Sequence, residues 1–413
     1  MQFERQTEPI EVSVVIPCLN EEDTLARCIE KARRALREHN IAGEIVVADN
    51  GSTDSSRAIA EREQAQVVTI KEPGYGSALM GGIAAASGRF VIIGDGDDSY
   101  DFLEIPNIVE KLREGSDLVQ GCRLPAGGGS IRPGAMPFLH RWVGNPFFSF
   151  LVRKWFHAPI NDVYCGLRGF TKAMYERLDQ RCTGMEFATE MIIKASLHGE
   201  KITEVPITLH PDRRTSHAPH LKTFRDGWRT FRYFLICSPR WLFFIPGGAF
   251  IAFGLLGYLV AMPGLRIGHA TFDAHTLLFS SLAILCGYQW ILFAIFAKTF
   301  AVTEGFLPLD RHLERFFELV NLEKGLVVAA LAILAGGGLL LTAVRQWWLT
   351  GFGHLDYAYT MRFVVPGATL VALGVSNRFL QLFRQHSWDA TKMSLIGSVH
   401  RGPRSLGVRE NCR

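Results

Sequence analysis

The chain has 413 residues, 48% of them hydrophobic and 20% charged, with a formal charge of +4. That length holds about two to three domains, and that apolar content excludes an ordinary soluble enzyme, so part of the chain belongs in lipid. So small a positive charge, with no dense Lys/Arg stripe in the first half, excludes a nucleic-acid binder. The eight cysteines form no CxxC pair and have no histidine spacing suited to zinc, which fits a reducing cytoplasm. The opening MQFERQTEPIEV is polar and lacks the apolar core of a signal peptide, so the first domain is expected to stay in the cytoplasm.

In chain order, residues 12–17 (VSVVIP), 44–48 (EIVVA), 66–70 (QVVTI) and 90–94 (FVIIG) are short β-branched runs that read as buried strands. Between them residues 21–38, 53–63 and 77–86 have helical patterns, the second with Ser52 as its N-cap. Alternating strands and helices predict an α/β fold with a mostly parallel sheet and with ligands at the C-terminal strand ends. The unusual polar residues stand at those ends: Asn20-Glu21, Asp49-Asn50-Gly51-Ser52 and Asp95-Gly96-Asp97-Asp98. A nucleotide-diphosphate site explains them economically. Asp95 and Asp97, one small residue apart after an apolar strand, can share a hard divalent ion that also bridges the diphosphate. Gly74-Tyr75-Gly76-Ser77-Ala78-Leu79 lacks the third glycine of a dinucleotide fingerprint; its glycines are expected to let backbone approach a phosphate or sugar at a helix start.

From residue 242 onward the long uncharged runs take over. Residues 220–241 form an amphipathic juxtamembrane helix, with Leu221, Phe224, Trp228, Phe231, Phe234 and Leu235 interleaved with Lys222, Arg225, Arg229 and Arg232, expected to lie in the headgroup plane. Residues 242–262, 276–297, 325–344 and 363–383 are each near the roughly 20 apolar residues that span a bilayer; the last carries Arg378 near its end, where it can snorkel. Residues 303–323 read as an interfacial helix and 384–413 as a basic tail. Basic residues crowd the loop between spans two and three and the tail, which puts both termini and the catalytic domain in the cytoplasm, at the inner or plasma membrane if the source is bacterial. The spans have no central Asp, Glu, Lys or His, which argues against a transporter. A non-catalytic anchor or flippase subunit remains the alternative to an enzyme.

Taken in order, VVIPCLNEE, IVVADNGSTD, GDGDDSYD, GCRLPAGG, DVYCGLRGF, GMEFATEM and EVPITLHPDRR resemble the family-2 glycosyltransferases, specifically the dolichol-phosphate mannose and glucose synthase group with its bacterial polyprenyl-phosphate relatives. The resemblance covers about half the chain. It implies a GT-A, Rossmann-like catalytic domain over residues 1–219 ahead of the α-helical transmembrane domain. It also implies an inverting transfer of a hexose or hexuronic acid, a Mg²⁺ or Mn²⁺ requirement, a nucleotide-sugar donor with UDP favoured over GDP, and a polyprenyl phosphate acceptor of the dolichyl or undecaprenyl type in the lipid bilayer. A homo-oligomer stays open. By the resemblance Asp49 contacts the nucleotide base and Glu21 lies at the nucleotide pocket, which Pro17, Asn20, Ser52, Gly76 and Asp95 complete, while Asp95 and Asp97 are the metal pair. Arg123 of GCRLP and Arg213 of PDRR match arginines expected near the lipid phosphate, and Arg168 matches the arginine of the G-F-R segment. With Asp97 these three form the catalytic set.

The chain departs from the family in two places. Ala188 stands where a Gln is often found before Glu190, so the parts played by Glu190 and Asp98 stay open. Thr215-Ser216-His217 replaces the basic residues after the DR segment, so His217 joins Arg123, Arg141 and Arg213 as an acceptor-phosphate candidate. A processive polysaccharide synthase would carry Gln-x-x-Arg-Trp, whereas Phe138 precedes Arg141-Trp142 and Cys237 precedes Arg240-Trp241. A lipid phosphate monoester, with a second pKa near about 6, is mostly dianionic at neutral pH, so the reaction needs charge stabilisation and phosphate-holding arginines more than a strong base.

Overall fold

The structure is a computed structural model that describes residues 9–215, 223–303, 307, 315 and 322–377. The chain divides into two compact units, Met1–Phe234 and Leu235–Arg413. In the first, strands β1 (Val12–Cys18), β2 (Gly43–Asp49), β3 (Gln66–Thr69), β4 (Phe90–Ile93), β5 (Leu118–Cys122), β6 (Ser130–Ile131), β7 (Arg168–Thr171), β8 (Ile202–Pro206) and β9 (Thr208–Leu209) alternate with helices. The main sheet has the order β3-β2-β1-β4-β7-β5-β8. Its strands run parallel except β7, which is antiparallel to both neighbours; β6 and β9 make a separate short pair. This is the mostly parallel GT-A architecture.

Every residue of β1 is buried, as expected for a strand covered by helices on both faces. Helix α1 (Leu25–Glu38) supplies one cover with Leu25, Cys28, Ile29, Ala32, Ala35 and Leu36, a spacing that puts one apolar stripe on the sheet. Helices α2 (Ser56–Arg62), α3 (Tyr75–Ala85), α4 (Ile105–Arg113), α5 (Asn145–Phe156), α6 (Lys172–Leu178) and α7 (Phe187–Leu197) complete the layers.

Two helix starts differ from the sequence expectation for one reason. α1 begins at Leu25, not at 21, because Glu21 N–H donates to Ser56 Oγ and Glu22 N–H to Asp54. α2 begins at Ser56 with Ser55 at its N-cap, and Ser52 is used elsewhere: its N–H donates to Asp49 Oδ1 and its hydroxyl accepts from Asn20 N–H, both at 3.0 Å. Residues expected to open helices are thus spent on tying two strand-end loops together.

The glycines at the start of α3 admit the protein's own backbone. Gly74 has φ +138, a conformation side chains rarely adopt, and a Cβ on Gly74 or Gly76 would collide with the carbonyls of Thr183 or Cys182. It is the protein's own 182–184 backbone that approaches, and Ser77 N–H donates to Thr183 O. Glu190 on α7 fixes that backbone: it accepts from Arg181 and Cys182 N–H and pairs with Lys194 at 2.8 Å, both side chains buried. Glu190 is therefore committed to holding a loop.

Helix α8 (Thr223–Cys237) lies within the stretch expected in the headgroup plane, but one face is core. Phe234 is buried against Phe148, Trp155 and Phe156, whereas Trp228 is 61% exposed. Aromatic spacing alone does not separate the two faces.

Among the described residues, the second unit has four helices long and apolar enough to cross a membrane, Arg240–Ala261, Ala274–Thr303, Glu323–Leu349 and Tyr357–Asn377. Small residues set their packing: a Cβ on Gly247 or Gly287 would press on the other's carbonyl, and Gly336 and Gly367 meet in the same way. Close backbone approach replaces the hydrophobic drive that lipid does not provide. Polar contacts join the spans, with Tyr288 Oη donating to Asn377 Oδ1 and Asn377 Nδ2 to Gly325 O. Most of the interfacial helix expected at 303–323, residues 378–383 of the last span and the tail at 384–413 lie outside the described residues.

Gly76→Ala should push residues 182–184 away and cost about 1–3 kcal/mol, read as a lower thermal midpoint of the detergent-solubilised protein. An unchanged midpoint would contradict the packing role.

Candidate active site

The parallel strands deliver their loops to one edge, and hydrogen bonds stitch those loops together. Asn20, with φ 60, accepts from Thr53 N–H at 2.8 Å. Asn50 accepts from Gly74 N–H and donates to Glu72 O. Thr24 Oγ1 donates to Gly96 O at 2.6 Å, and a Cβ on Gly96 would lie 3.4 Å from Pro17 O and 3.5 Å from the Glu21 side chain. Pro17, Asn20, Glu21, Asp49, Ser52 and the Asp95–Asp98 turn therefore sit together. Asp49 is buried and accepts from Ser52.

The acidic turn divides its carboxylates between tasks. Asp95 accepts from Tyr75 Oη at 2.8 Å; burial and the neighbouring Asp97 push its carboxyl up to about 6. Burial and Asp95 hold the Tyr75 phenol well above its usual range, so it stays a donor. Asp97 Oδ1 accepts from Ser99 N–H and Oγ, and its Oδ2 faces Arg214 at 3.3 Å. Asp98, with φ 57 and a fully buried side chain, is gripped by Lys31 (2.8 Å), Arg27 (3.3 Å) and Arg213 (3.5 Å). Three cations on one carboxylate make Asp98 an anchor of the turn.

Asp95 and Asp97 are the residues that would hold a divalent cation here, with Ser99 and Arg214 engaging the two oxygens of Asp97 in this structure. Both carboxylates are hard oxygen donors, and a Cβ on Gly166 would fill the space beside Asp95 Oδ2. Among the described residues no group of three or more His, Cys, Asp or Glu is placed to hold a metal. Two protein carboxylates suit Mg²⁺, which keeps waters and draws further ligands from substrate phosphates.

Of the arginines matched by resemblance, two are interior. Arg123 donates Nε and Nη2 to Asp162 at 2.7 and 2.8 Å and Nη1 to Tyr100 Oη at 3.1 Å. Burial opposes its charge, yet Asp162 holds its pKa well above the usual value. Arg168 is fully buried and donates to Ala188 O and Cys165 O. Arg123, expected near the lipid phosphate, thus has its guanidinium engaged by Asp162 and Tyr100, while Arg168 holds the Ala188 and Cys165 carbonyls. Arg213 is half-exposed, and it is the next residue, Arg214, that turns inward. Arg214 spans Glu21 (3.0 Å), Asp97 (3.3 Å) and Asp212 (2.6 Å). Arg141 lies over the Trp142 ring at 5.3 Å, and its buried Nε has no hydrogen-bond partner among the described residues. His217 lies outside the described residues.

Tyr75, Tyr100, Asp162 and Arg214 are site residues that sequence reasoning passed over. Asp162 stood in the DVYCGLRGF motif and Arg214 in PDRR, so the signal was present for both. Nothing in sequence pairs Tyr75 with Asp95.

Comparison with known proteins follows the same division. A family described as glycosyl transferase family 2 matches residues 13–179, and one described as the glycosyltransferase family 2 C-terminal transmembrane region matches residues 295–385. The low-salt glycan biosynthesis hexosyltransferase Agl6 of Haloferax volcanii is 38% identical over 352 residues, 84% of this chain and 82% of that protein. The chain belongs to glycosyltransferase family 2. An undecaprenyl-phosphate 4-deoxy-4-formamido-L-arabinose transferase of Salmonella choleraesuis is 28% identical over 203 residues, covering 48% of this chain and 58% of that one. Among solved structures, glucosyl-3-phosphoglycerate synthase from Mycobacterium tuberculosis in complex with Mn²⁺, UDP and glucosyl-3-phosphoglycerate is similar, with 23% identity, a TM-score of 0.45 and coverage of 55% of this chain and 80% of that one. As a family 2 enzyme with a matched transmembrane region and four apolar helices, this glycosyltransferase is an integral membrane protein.

Removing either partner of the Arg123–Asp162 pair leaves a buried charge uncompensated. Arg123→Ala and Asp162→Ala should each cost about 3–5 kcal/mol of stability, and the double variant should cost clearly less than their sum. Additive losses in thermal unfolding would show that the two side chains act separately.

Proposed function

We propose that this glycosyltransferase moves a hexose or hexuronic acid, with inversion, from a nucleotide sugar to a polyprenyl phosphate at the cytoplasmic face of the membrane, with UDP favoured as the nucleotide. The observation that carries the reading is the gathering of Glu21, Asp49, Asp95 and Asp97 at adjacent strand ends, in a chain that also carries membrane spans. In this reading Asp49 and Glu21 hold the nucleoside, with Pro17, Asn20, Ser52 and Gly76 shaping the pocket. Asp95 and Asp97 would hold Mg²⁺ or Mn²⁺, which when bound offsets the charge on the departing diphosphate. Tyr75 orients Asp95, and Ser99 orients Asp97.

The acceptor side rests on the segment around Arg141. Phe138, Leu139, Trp142, Val143, Phe147 and Phe150 are all exposed large apolar residues, Phe138 at 75%, while Arg141 on the same segment has an N–H to give. An apolar surface with a cation at its edge suits a molecule that is phosphate at one end and hydrocarbon for the rest. Arg213, half-exposed on the lip of the acidic turn, is the second phosphate candidate, and Arg123 and Arg168 act as positioning residues beneath. A phosphate dianion needs no strong base to attack the anomeric carbon, so binding and alignment carry the acceptor's share. In this reading both termini and the catalytic unit lie on the cytoplasmic side, which the basic loops support.

Membranes containing the protein, given labelled sugar nucleotides and polyprenyl phosphate, should form a lipid-phosphate sugar. Asp97→Ala should lower the rate at least about a hundredfold, as should chelation by EDTA, with Mn²⁺ or Mg²⁺ restoring the wild type alone. Full activity of Asp97→Ala would remove the proposed metal pair. Arg141→Ala should raise KM for polyprenyl phosphate about tenfold with the donor KM unchanged; a donor-side defect instead would overturn the acceptor assignment.

A further inference from the structure

Arg214 holds a position that the proposed chemistry does not explain. Its side chain is only 8% exposed, although it belongs to an irregular segment after β9 with exposed neighbours Arg213 and Thr215. Nη1 donates to Glu21 Oε1 and Nη2 to Asp97 Oδ2, while Nε and Nη2 take both oxygens of Asp212. The carboxylates hold it as a cation, with its pKa raised despite burial.

The detail that matters is which oxygen of Asp97 is involved. Ser99 occupies Oδ1 through two hydrogen bonds, and Arg214 occupies Oδ2. Oδ2 keeps a lone pair for a metal, but a divalent ion bound there would lie beside the Arg214 guanidinium, whose charge opposes it, and on Oδ1 it would crowd the Ser99 bonds that shape the turn. Displacing the guanidinium is the easier course, because Arg214 keeps Asp212, adjacent on its own segment, as a partner wherever it moves. That segment is tied to the pocket lip by other bonds: Thr215 N–H and Oγ1 donate to Asp23 Oδ2 at 2.9 and 3.0 Å, and Arg213 N–H donates to Asp97 O at 3.4 Å.

We propose that Arg214 is an exchangeable counter-ion of the donor pocket. It balances Glu21 and Asp97, yields Asp97 Oδ2 to the divalent ion that enters with the nucleotide, and transfers its guanidinium to the diphosphate brought by that ion. A forked guanidinium suits either partner, since carboxylate and phosphate oxygens present similar paired acceptors. The exchange keeps the local charge nearly constant as donor and cation arrive. It rests on the reading of Asp95 and Asp97 as the metal pair.

The test is Mn²⁺ binding to the full-length protein in detergent, followed by the electron paramagnetic resonance of free Mn²⁺, with and without UDP. Without UDP, Arg214→Gln should bind Mn²⁺ about tenfold more tightly than wild type. With UDP the order should reverse, because the variant lacks the diphosphate contact. Arg214→Lys, which keeps charge but not the fork and guards against misfolding of the first variant, should fall between the two without UDP. Asp97→Asn should abolish binding in either background. Mn²⁺ affinity that depends on Asp97 but is equal in wild type and Arg214→Gln would overturn the exchange and leave the metal pair standing. Affinity indifferent to Asp97 would overturn both.

Discussion

Carboxylates crowded at the ends of neighbouring strands repel one another, and much of the catalytic unit is arranged around that repulsion. Glu21, Asp49 and Asp98 are buried, and Asp95 and Asp97 are one residue apart. Away from bulk water such groups interact far more strongly than in solution, with an effective dielectric near about 20 in place of about 80. Each therefore has a specific partner: Arg214 for Glu21, Ser52 for Asp49, Tyr75 for Asp95, Ser99 and Arg214 for Asp97, and Lys31, Arg27 and Arg213 for Asp98. The turn that results presents Asp95 and Asp97 as a pair because Asp98 is pulled back into the protein.

The same accounting explains the interior arginines and the glycines. Arg123 with Asp162 joins the end of β5 to the loop that precedes β7, and Tyr100 connects both to the acidic turn through its hydroxyl, which also accepts from Gly166 N–H. Gly166 has no side chain because Asp95 lies against it, and Gly76 has none because the 182–184 backbone does. Glu190, paired with Lys194, holds that backbone through Cys182 N–H. The reacting side of the site is thus small, and a deep layer of charge pairs gives it its shape.

Much of this was legible in the chain itself. The β-branched runs and polar strand ends gave the parallel sheet and the gathering of polar loops at one edge, because burial on two faces and exposed strand ends leave separate compositional traces. Hydropathy gave the membrane spans, and the ordered motifs gave the family. Less visible was anything decided by contact between distant segments. Ser52 reads as a helix cap but is drawn to Asn20 across the cleft; Phe234 reads as interfacial but is buried beside Phe148; Arg213 and Arg214 are indistinguishable in PDRR, and only backbone direction decides which one faces Asp97. The burial of Arg123 and Arg168 was hidden for the same reason, since sequence gives an arginine's neighbours along the chain but not its depth in the fold.

The central claim is that Asp95 and Asp97 together hold a divalent ion beneath the donor diphosphate. The most direct measurement is anomalous diffraction from crystals of the protein grown with UDP and Mn²⁺. The account predicts one strong manganese peak in direct coordination distance of a carboxylate oxygen from each of Asp95 and Asp97 and of the diphosphate. A manganese peak bound elsewhere, or UDP held in the cleft with no metal at this pair, would contradict it.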